Sequence, residues 1–275
     1  CPNGWINACE CGASGSEFQA SGRAKAGSNE IAVDDIGDFK VGQEVAVYGC
    51  HLHHYGTVYN AEAPYFARNQ KPLAGEAELR GLDAGKLWQT FIVHFDKTDP
   101  VTFSWMAVDT VHQTKVRHHP VLHREWCWQG KNMPVTNDWM TLADGVQIRF
   151  KKLDWQAGES ISFHARNRLL ARIADIRGKN LVLDSKANLD ADGVKVRHHD
   201  QSALQAALDR AVAERKGLFI PAGRYRLSKG VWIINATVRI EGAHRDQTTL
   251  DISDDHTAVF WISGGKEVVI RNLGM

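Results

Sequence analysis

After residue 216 the chain runs as short apolar strands divided by tight turns: GLFIPAG, YRLSK, VWIINATVRIEG, TTLDIS, AVFWIS and EVVIRNLGM. None is long enough to pack alone. Each carries its apolar residues on one side, as in Val238 with Ile240 and Val268 with Ile270. Such segments bury those residues only by stacking as coils around a shared column, which is the logic of a solenoid. Just ahead of them Leu204, Ala207, Leu208, Ala211 and Val212 recur at i, i+3, i+4, i+7 and i+8, one apolar helix face. The spacing predicts a helix over 200–216. Asp200 or Ser202 serves as its N-cap, Ser202 and Gln205 are spaced as a capping box, and Gly217 ends it in the left-handed conformation.

Elsewhere short β-branched runs alternate with Gly, Asp and Asn turns, the pattern of an all-β chain. In residues 1–60, Ile31 and Val33 alternate with polar neighbours, and Val45 and Val47 do so again after a turn at Gly37-Asp38. These read as strands of a small barrel or sandwich. AELRGL, TFIVHF, VTFSWMAV, GVQIRF and SISFHA form a second set, with clear alternation at Val146, Ile148 and Phe150 and at Ile161 and Phe163. From residue 167 the first style returns, with a hairpin at Gly178-Lys179-Asn180 and the strand GVKVRH. The expected organisation is a small β domain in two halves, 1–60 and 167–199, an inserted β-sandwich over 61–166, and the helix with its coils over 200–275.

Lys plus Arg (33) nearly cancels Asp plus Glu (32). A nucleic-acid or anionic-membrane partner would favour a clear basic excess, so both classes are set aside. No run approaches the roughly 18 apolar residues that span a bilayer. The chain begins at Cys1 and shows no signal peptide, which reads as a processed or trimmed chain. Four of its five cysteines (Cys1, Cys9, Cys11, Cys50, Cys127) lie in the first 50 residues. That leaves room for one or two disulfides in an oxidising compartment.

Within DQSALQAALDRAVAERKGLFIPAGRYRLSKGVWIINATVRIEGAHRDQTTLDIS, an amphipathic helix leads into a strand, a Pro-x-Gly turn and a Tyr-x-Leu strand. This segment, Asp200 to Met275, resembles the start of the pectate-lyase-superfamily right-handed parallel β-helix. The resemblance covers about 75 residues and implies that the helix lies across the open solenoid end, hiding its apolar column and unpaired strand groups. Thr102-Phe103-Ser104-Trp105, Gly145 to Phe150 and Gly158 to Ala165 resemble, less specifically, β-sandwich modules of secreted and phage-tail proteins. The fold expected is therefore all-β: a small barrel or sandwich carrying an inserted sandwich, then a capping helix and the first coils of a β-helix.

The β-helix resemblance implies carbohydrate chemistry outside the cell, and fold alone does not choose the reaction. Relatives usually carry catalytic groups on middle coils, so further coils in the same product or on a partner polypeptide are expected to hold them. The favoured reading is the N-terminal part of a secreted enzyme cleaving a polysaccharide, a glycoside hydrolase ahead of a polysaccharide lyase. The alternatives are a non-catalytic glycan-binding adhesin or tailspike-like fibre module, and an assembly module. A homo-oligomer is a further possibility, as trimers are common among β-helix fibres.

Individual residues give weaker signals. Trp126 and Trp128 share a face if their segment is extended and, with Arg124 and His123, are the candidate substrate contacts. Trp105, Trp139 and Trp155 read as sandwich core. Asp251, Asp254 and Asp255 sit together in LDISDDH and are the local candidates for paired-carboxylate catalysis, although adjacent acids in a turn are usually solvated. Cys50, His53, His123, Glu125 and Cys127 contain zinc-type ligands, but their spacing fits no zinc template, so no metal and no cofactor is assigned. KVRHH occurs twice, at Lys115–His119 and Lys195–His199. The preferred explanation is chance in a His-rich chain, with strand alternation in the second copy, ahead of sugar or anion contacts.

Overall fold

The computed structural model describes residues 1–60, 75–83, 86–108, 128–228, 230–252, 258–265 and 267–275, the side chains of 55–60 and 108 excepted. Strand β1 (Ile6–Asn7) leads into a 3-10 turn, Ala8–Cys11, and then β2 (Gln19–Ala24), β3 (Glu30–Val33) and β4 (Glu44–Asn60). Next come β5 (Glu76–Arg80), β6 (Trp88–Thr98), β7 (Val101–Val108), β8 (Gly130–Pro134), β9 (Met140–Thr141), β10 (Gln147–Lys152) and β11 (Glu159–Arg177). Strands β12 (Asn180–Leu183) and β13 (Ala191–His198) precede helix α1 (Gln201–Ala213). The last seven strands are β14 (Leu218–Ile220), β15 (Gly223–Arg226), β16 (Val231–Ile234), β17 (Thr237–Gly242), β18 (Thr248–Asp251), β19 (Phe260–Ser263) and β20 (Glu267–Arg271).

The chain divides into two units, Cys1–Cys50 with Leu169–Met275, and His51–Arg168. It leaves the first unit within β4 and returns within β11.

In the first unit, strands β12, β3, β2, β13, β4 and β11 pair in that order, and β11 pairs back onto β12, closing a six-stranded barrel. Alternation explains its interior: Ile31, Val33, Val45, Val47, Ile173, Leu181, Val194 and Val196 all point into one buried cluster. The β11–β12 hairpin turns at Gly178, whose φ of 60° suits a residue without a Cβ.

The same unit carries three parallel ladders. Strand β14 pairs with β1 and β17, and β17 with β20; β15 pairs with β18, and β16 with β19. Register places Ile6, Leu218, Ile240 and Ile270 in one line, and Val238 over Val268. Each strand supplies only one or two apolar residues to the inward cluster, so burial comes from this alignment from strand to strand. Leu204, Ala207, Leu208 and Ala211 of α1 join the same buried cluster.

The helix departs from expectation at both ends. It stops at Ala213, and the left-handed residue beyond it is Arg215 (φ 53°), not Gly217. Gly217 is needed for space instead, because a Cβ there would sit 2.4 Å from the Trp5 ring. No capping box forms. Asp200 occupies the N-cap without a side-chain cap bond, Ser202 N–H donates to Glu44 Oε2 (3.1 Å), and Gln205 is engaged elsewhere.

In the second unit β6 pairs with β7 and β11, β7 pairs with β8, and β10 pairs with β5 and β9. Phe91, Phe95, Phe103, Phe150, Phe163 and Trp155 fill the core between these sheets, all fully buried. Trp155 stacks on Phe95 with centroids 4.2 Å apart. Trp105 is also buried, but Trp139 is not core as expected. It lies between the guanidinium groups of Arg80 (4.1 Å) and Arg149 (4.6 Å), an arrangement in which cation–π attraction replaces burial.

Candidate functional site

In β16, Val231 and Ile233 point inward, which forces Trp232 and Ile234 out. Parallel register sets Trp232 directly beside Trp261 of β19. Their rings stack at 5.6 Å with planes 17° apart, and they stay 44% and 42% exposed. Ile234 continues this apolar surface.

Two local features hold the pair in place. Gln205 of α1 grips the β16 backbone from the side, accepting from Trp232 N–H (2.8 Å) and donating to its carbonyl (3.1 Å). The clamp satisfies an edge strand that would otherwise present open groups. Gly230 supplies clearance: a Cβ there would lie 2.3 Å from Trp261 Cδ1 and 2.2 Å from Ala258 O. An exposed indole ladder offers flat apolar area to a ligand with its own apolar face, such as the C–H face of a pyranose, and the geometry suits binding rather than bond cleavage.

Of the residues singled out from sequence, Trp126, Arg124, His123, Asp254 and Asp255 lie outside the described residues, as do Glu125, Cys127 and the first KVRHH string. Trp128 stacks against His94 with centroids 6.1 Å apart. Asp251 ends β18, and Arg224 Nε donates to its carboxylate at 2.8 Å. Cys50 is buried, which pushes its thiol up to about 11, and it donates to Val47 O. Cys1, Cys9, Cys11 and Cys50 are all free thiols. Among the described residues no three His, Cys, Asp or Glu side chains gather as metal ligands.

Beside Trp128, the sandwich face opposite the core is polar. His94 Nδ1 pairs with Ser160 Oγ (2.9 Å), His164 Nδ1 with Thr90 Oγ1 (2.8 Å), and Ser104 donates to Asp96 (2.8 Å). Burial lowers His94 and takes His164 to about 4, with Arg166 adding to the latter. Burial, aided by His51 and Arg166, also takes His53 to about 4. These imidazoles are neutral at pH 7. Asp96 is bound by Ser104 rather than His94, so the groups do not form a nucleophile–base–acid relay.

The second KVRHH string has a role that sequence reasoning missed. His198 and His199 are buried at the end of β13, followed by Asp200, itself 1% exposed. His198 Nε2 meets Asp38 Oδ1 at 2.8 Å, and its ring packs at a tilt against Phe39 with centroids 4.6 Å apart. His199 Nδ1 lies 3.1 Å from Glu44 Oε2, an electrostatic contact without hydrogen-bond alignment. Asp200 Oδ1 accepts from Ser14 N–H at 2.6 Å, while Oδ2 has no hydrogen-bond partner. Burial raises the Asp200 carboxyl; it also raises the nearby Cys9 thiol and, with Cys9 and Asp200, the Tyr225 hydroxyl. The available signal was the pairing of two histidines with an aspartate at the start of a helix.

No family model matches the chain, and no curated protein matches it. A solved structure titled "Crystal structure of Agl-KA catalytic domain" aligns with 96% of this chain at 13% identity and a TM-score of 0.22. The chain spans about half of that structure's length (48%). No helix among the described residues is long and apolar enough to cross a membrane.

Proposed function

We propose that the chain is the N-terminal part of an extracellular carbohydrate-active protein built on a right-handed parallel β-helix. Its glycan lies along the Trp232–Trp261 ladder. The observation that carries this reading is the register-matched, outward-facing indole pair, each ring more than two-fifths exposed. Large exposed aromatics clustered on a folded surface mark contact sites rather than packing. The β-helix reading rests on the three parallel ladders and their aligned apolar column, and parallel crossovers are almost always right-handed. Helix α1 would then cap the first coil. Ile262 faces the column beside Ile233 yet is 52% exposed, against 1% for Ile233. Further coils, in the same polypeptide or a partner, would cover it.

Polysaccharide cleavage, hydrolytic rather than eliminative, is assigned to carboxylates on those coils, since Asp251 is tied to Arg224. A second reading, a non-catalytic adhesin or fibre module, is favoured by the flat aromatic surface itself. Affinity electrophoresis in gels containing xylan, mannan, laminarin, dextran or polygalacturonate tests binding. Reducing-end and unsaturated-product assays on the bound polymer separate hydrolase, lyase and adhesin. Retardation by none of these polymers would count against the carbohydrate reading.

A further inference from the structure

In β5 and β10, Leu79, Ile148 and Phe150 pack into the sandwich core, so Glu78, Arg80, Gln147, Arg149 and Lys151 take the outward face. Trp139, just ahead of β9, joins them there, with the Arg80 guanidinium 4.1 Å and the Arg149 guanidinium 4.6 Å from its ring centre. The attraction of the indole for each cation lets two arginines share one small area.

The carboxylates do not match that charge. Glu78 stands opposite Arg149 in the ladder, accepts from its Nε at 2.6 Å and pairs with Lys151 as well. Lys151 and Arg149 together hold the Glu78 carboxyl below its usual range. Arg80 has no such partner among the described residues. Its Nε donates to Gln147 Oε1 at 2.7 Å, and Gln147 Nε2 donates in turn to Thr141 Oγ1 at 3.0 Å, a relay across three neighbouring strands. Neither the amide nor the indole contact uses Nη1 or Nη2, and the residue is exposed. Of the other acids nearby, Glu76 stands opposite Lys152 and Asp138 lies in the bend before Trp139; neither pairs with Arg80.

A guanidinium held by a ring at its face and an amide at Nε has already given up rotamer freedom that binding would otherwise cost. What it leaves open is the end-on fork of Nη1 and Nη2, whose parallel N–H groups match the two oxygens of a carboxylate or sulfate. The excess of positive charge is small, which suits one acidic group rather than the unbroken phosphate row of a nucleic acid. We propose that Arg80 anchors a binding site for the carboxylate or sulfate ester of an acidic sugar, sharing no residue with the Trp232–Trp261 ladder. That a sugar carries the anion rests on the carbohydrate reading; the oxyanion site itself does not.

The test is calorimetric titration of the full chain carrying Trp232→Ala and Trp261→Ala, which leaves the arginine face intact. The probes are hexagalacturonate and a chondroitin sulfate hexasaccharide, with cellohexaose as the neutral and hexathymidylate as the phosphate comparison. At least one acidic hexasaccharide is expected to bind, more weakly as salt rises. Adding Arg80→Gln should weaken it about tenfold, as the loss of one charge-assisted pair does. Arg80→Lys, which keeps the charge without the fork, should weaken it severalfold. Lys97→Gln removes an exposed charge elsewhere on the unit and should leave binding nearly unchanged. Binding of neither acidic probe overturns the proposal. So does equal affinity in Arg80→Gln, an equal loss in Lys97→Gln, or tighter binding of hexathymidylate or cellohexaose. If the acidic probes bind through Arg80 while no polymer depends on Trp232 or Trp261, the ladder reading fails and this site stands. If neutral polymers need the ladder and the acidic probes ignore Arg80, this site fails and the ladder stands.

Discussion

Asp200 is ionisable, 1% exposed and only half satisfied, so its replacement by asparagine should stabilise the first unit. Burial raises its pKa above the ordinary value of 3.8, although Ser14 and the two histidines pull it down. A carboxyl raised on folding contributes fully below its unfolded pKa and loses that contribution as pH rises through the folded value. Above that folded value the native state holds a buried carboxylate with one oxygen lacking a hydrogen-bond partner. A buried unsatisfied polar group costs about 1–3 kcal/mol. Asp200→Asn keeps the acceptor for Ser14 and removes the charge, so a gain on the order of 1 kcal/mol is expected at pH 8, vanishing towards pH 3. Asp200→Ala removes the Ser14 acceptor as well and should lose about 1–3 kcal/mol at either pH. Urea unfolding at a series of pH values, with the m-value checked for constancy, reads both. A less stable Asp200→Asn protein at pH 8, with a deficit that shrinks on acidification, would refute the reasoning and mark Asp200 as a well-compensated ion.

Glu44 should behave in the opposite sense. Burial opposes its ionisation, but the His199 contact and Ser202 N–H outweigh that and hold its pKa below the usual range. Its contribution is present above the unfolded value, about 4.3, and is lost as pH falls through the folded one; Glu44→Gln should therefore flatten the acid limb of stability against pH. Trp155→Ala should cost about 3–5 kcal/mol, as a fully buried ring stacked on Phe95 and edge-on to Phe150 leaves a cavity. Thermal unfolding read from the sandwich aromatics checks it. Gly230→Ala should cost about 1–3 kcal/mol, since the new methyl meets the Ala258 carbonyl as well as the Trp261 ring. It should also raise the accessibility of Trp261 to acrylamide quenching.

The strands were legible because alternation is a local property. Val146, Ile148 and Phe150 point into the core as their spacing requires, and the apolar face of α1 follows from five residues within nine positions. What sequence hid depends on distant partners. Trp139 sits between arginines from β5 and β10, paired strands nearly 70 residues apart. His198 and His199 meet Asp38 and Glu44 about 155 positions away. Trp232 and Trp261 become a pair only when β16 and β19 stack in register. One sign of them was on the page. In VWII the inward places go to Val231 and Ile233, so an apolar residue at each outward place already marked an unusual surface.

The glycan ladder is tested most directly by calorimetric titration of whichever polysaccharide retards the chain in gels, using oligosaccharides of that polymer. The unsubstituted protein is compared with Trp232→Ala, Trp261→Ala and the double variant. Both indoles are outward and partly exposed, so unfolding temperatures should stay close to that of the unsubstituted chain. Each single variant should then weaken binding about tenfold, in line with roughly 1–2 kcal/mol for an aromatic contact. Equal affinity in all four proteins would contradict the assignment of the glycan to this ladder.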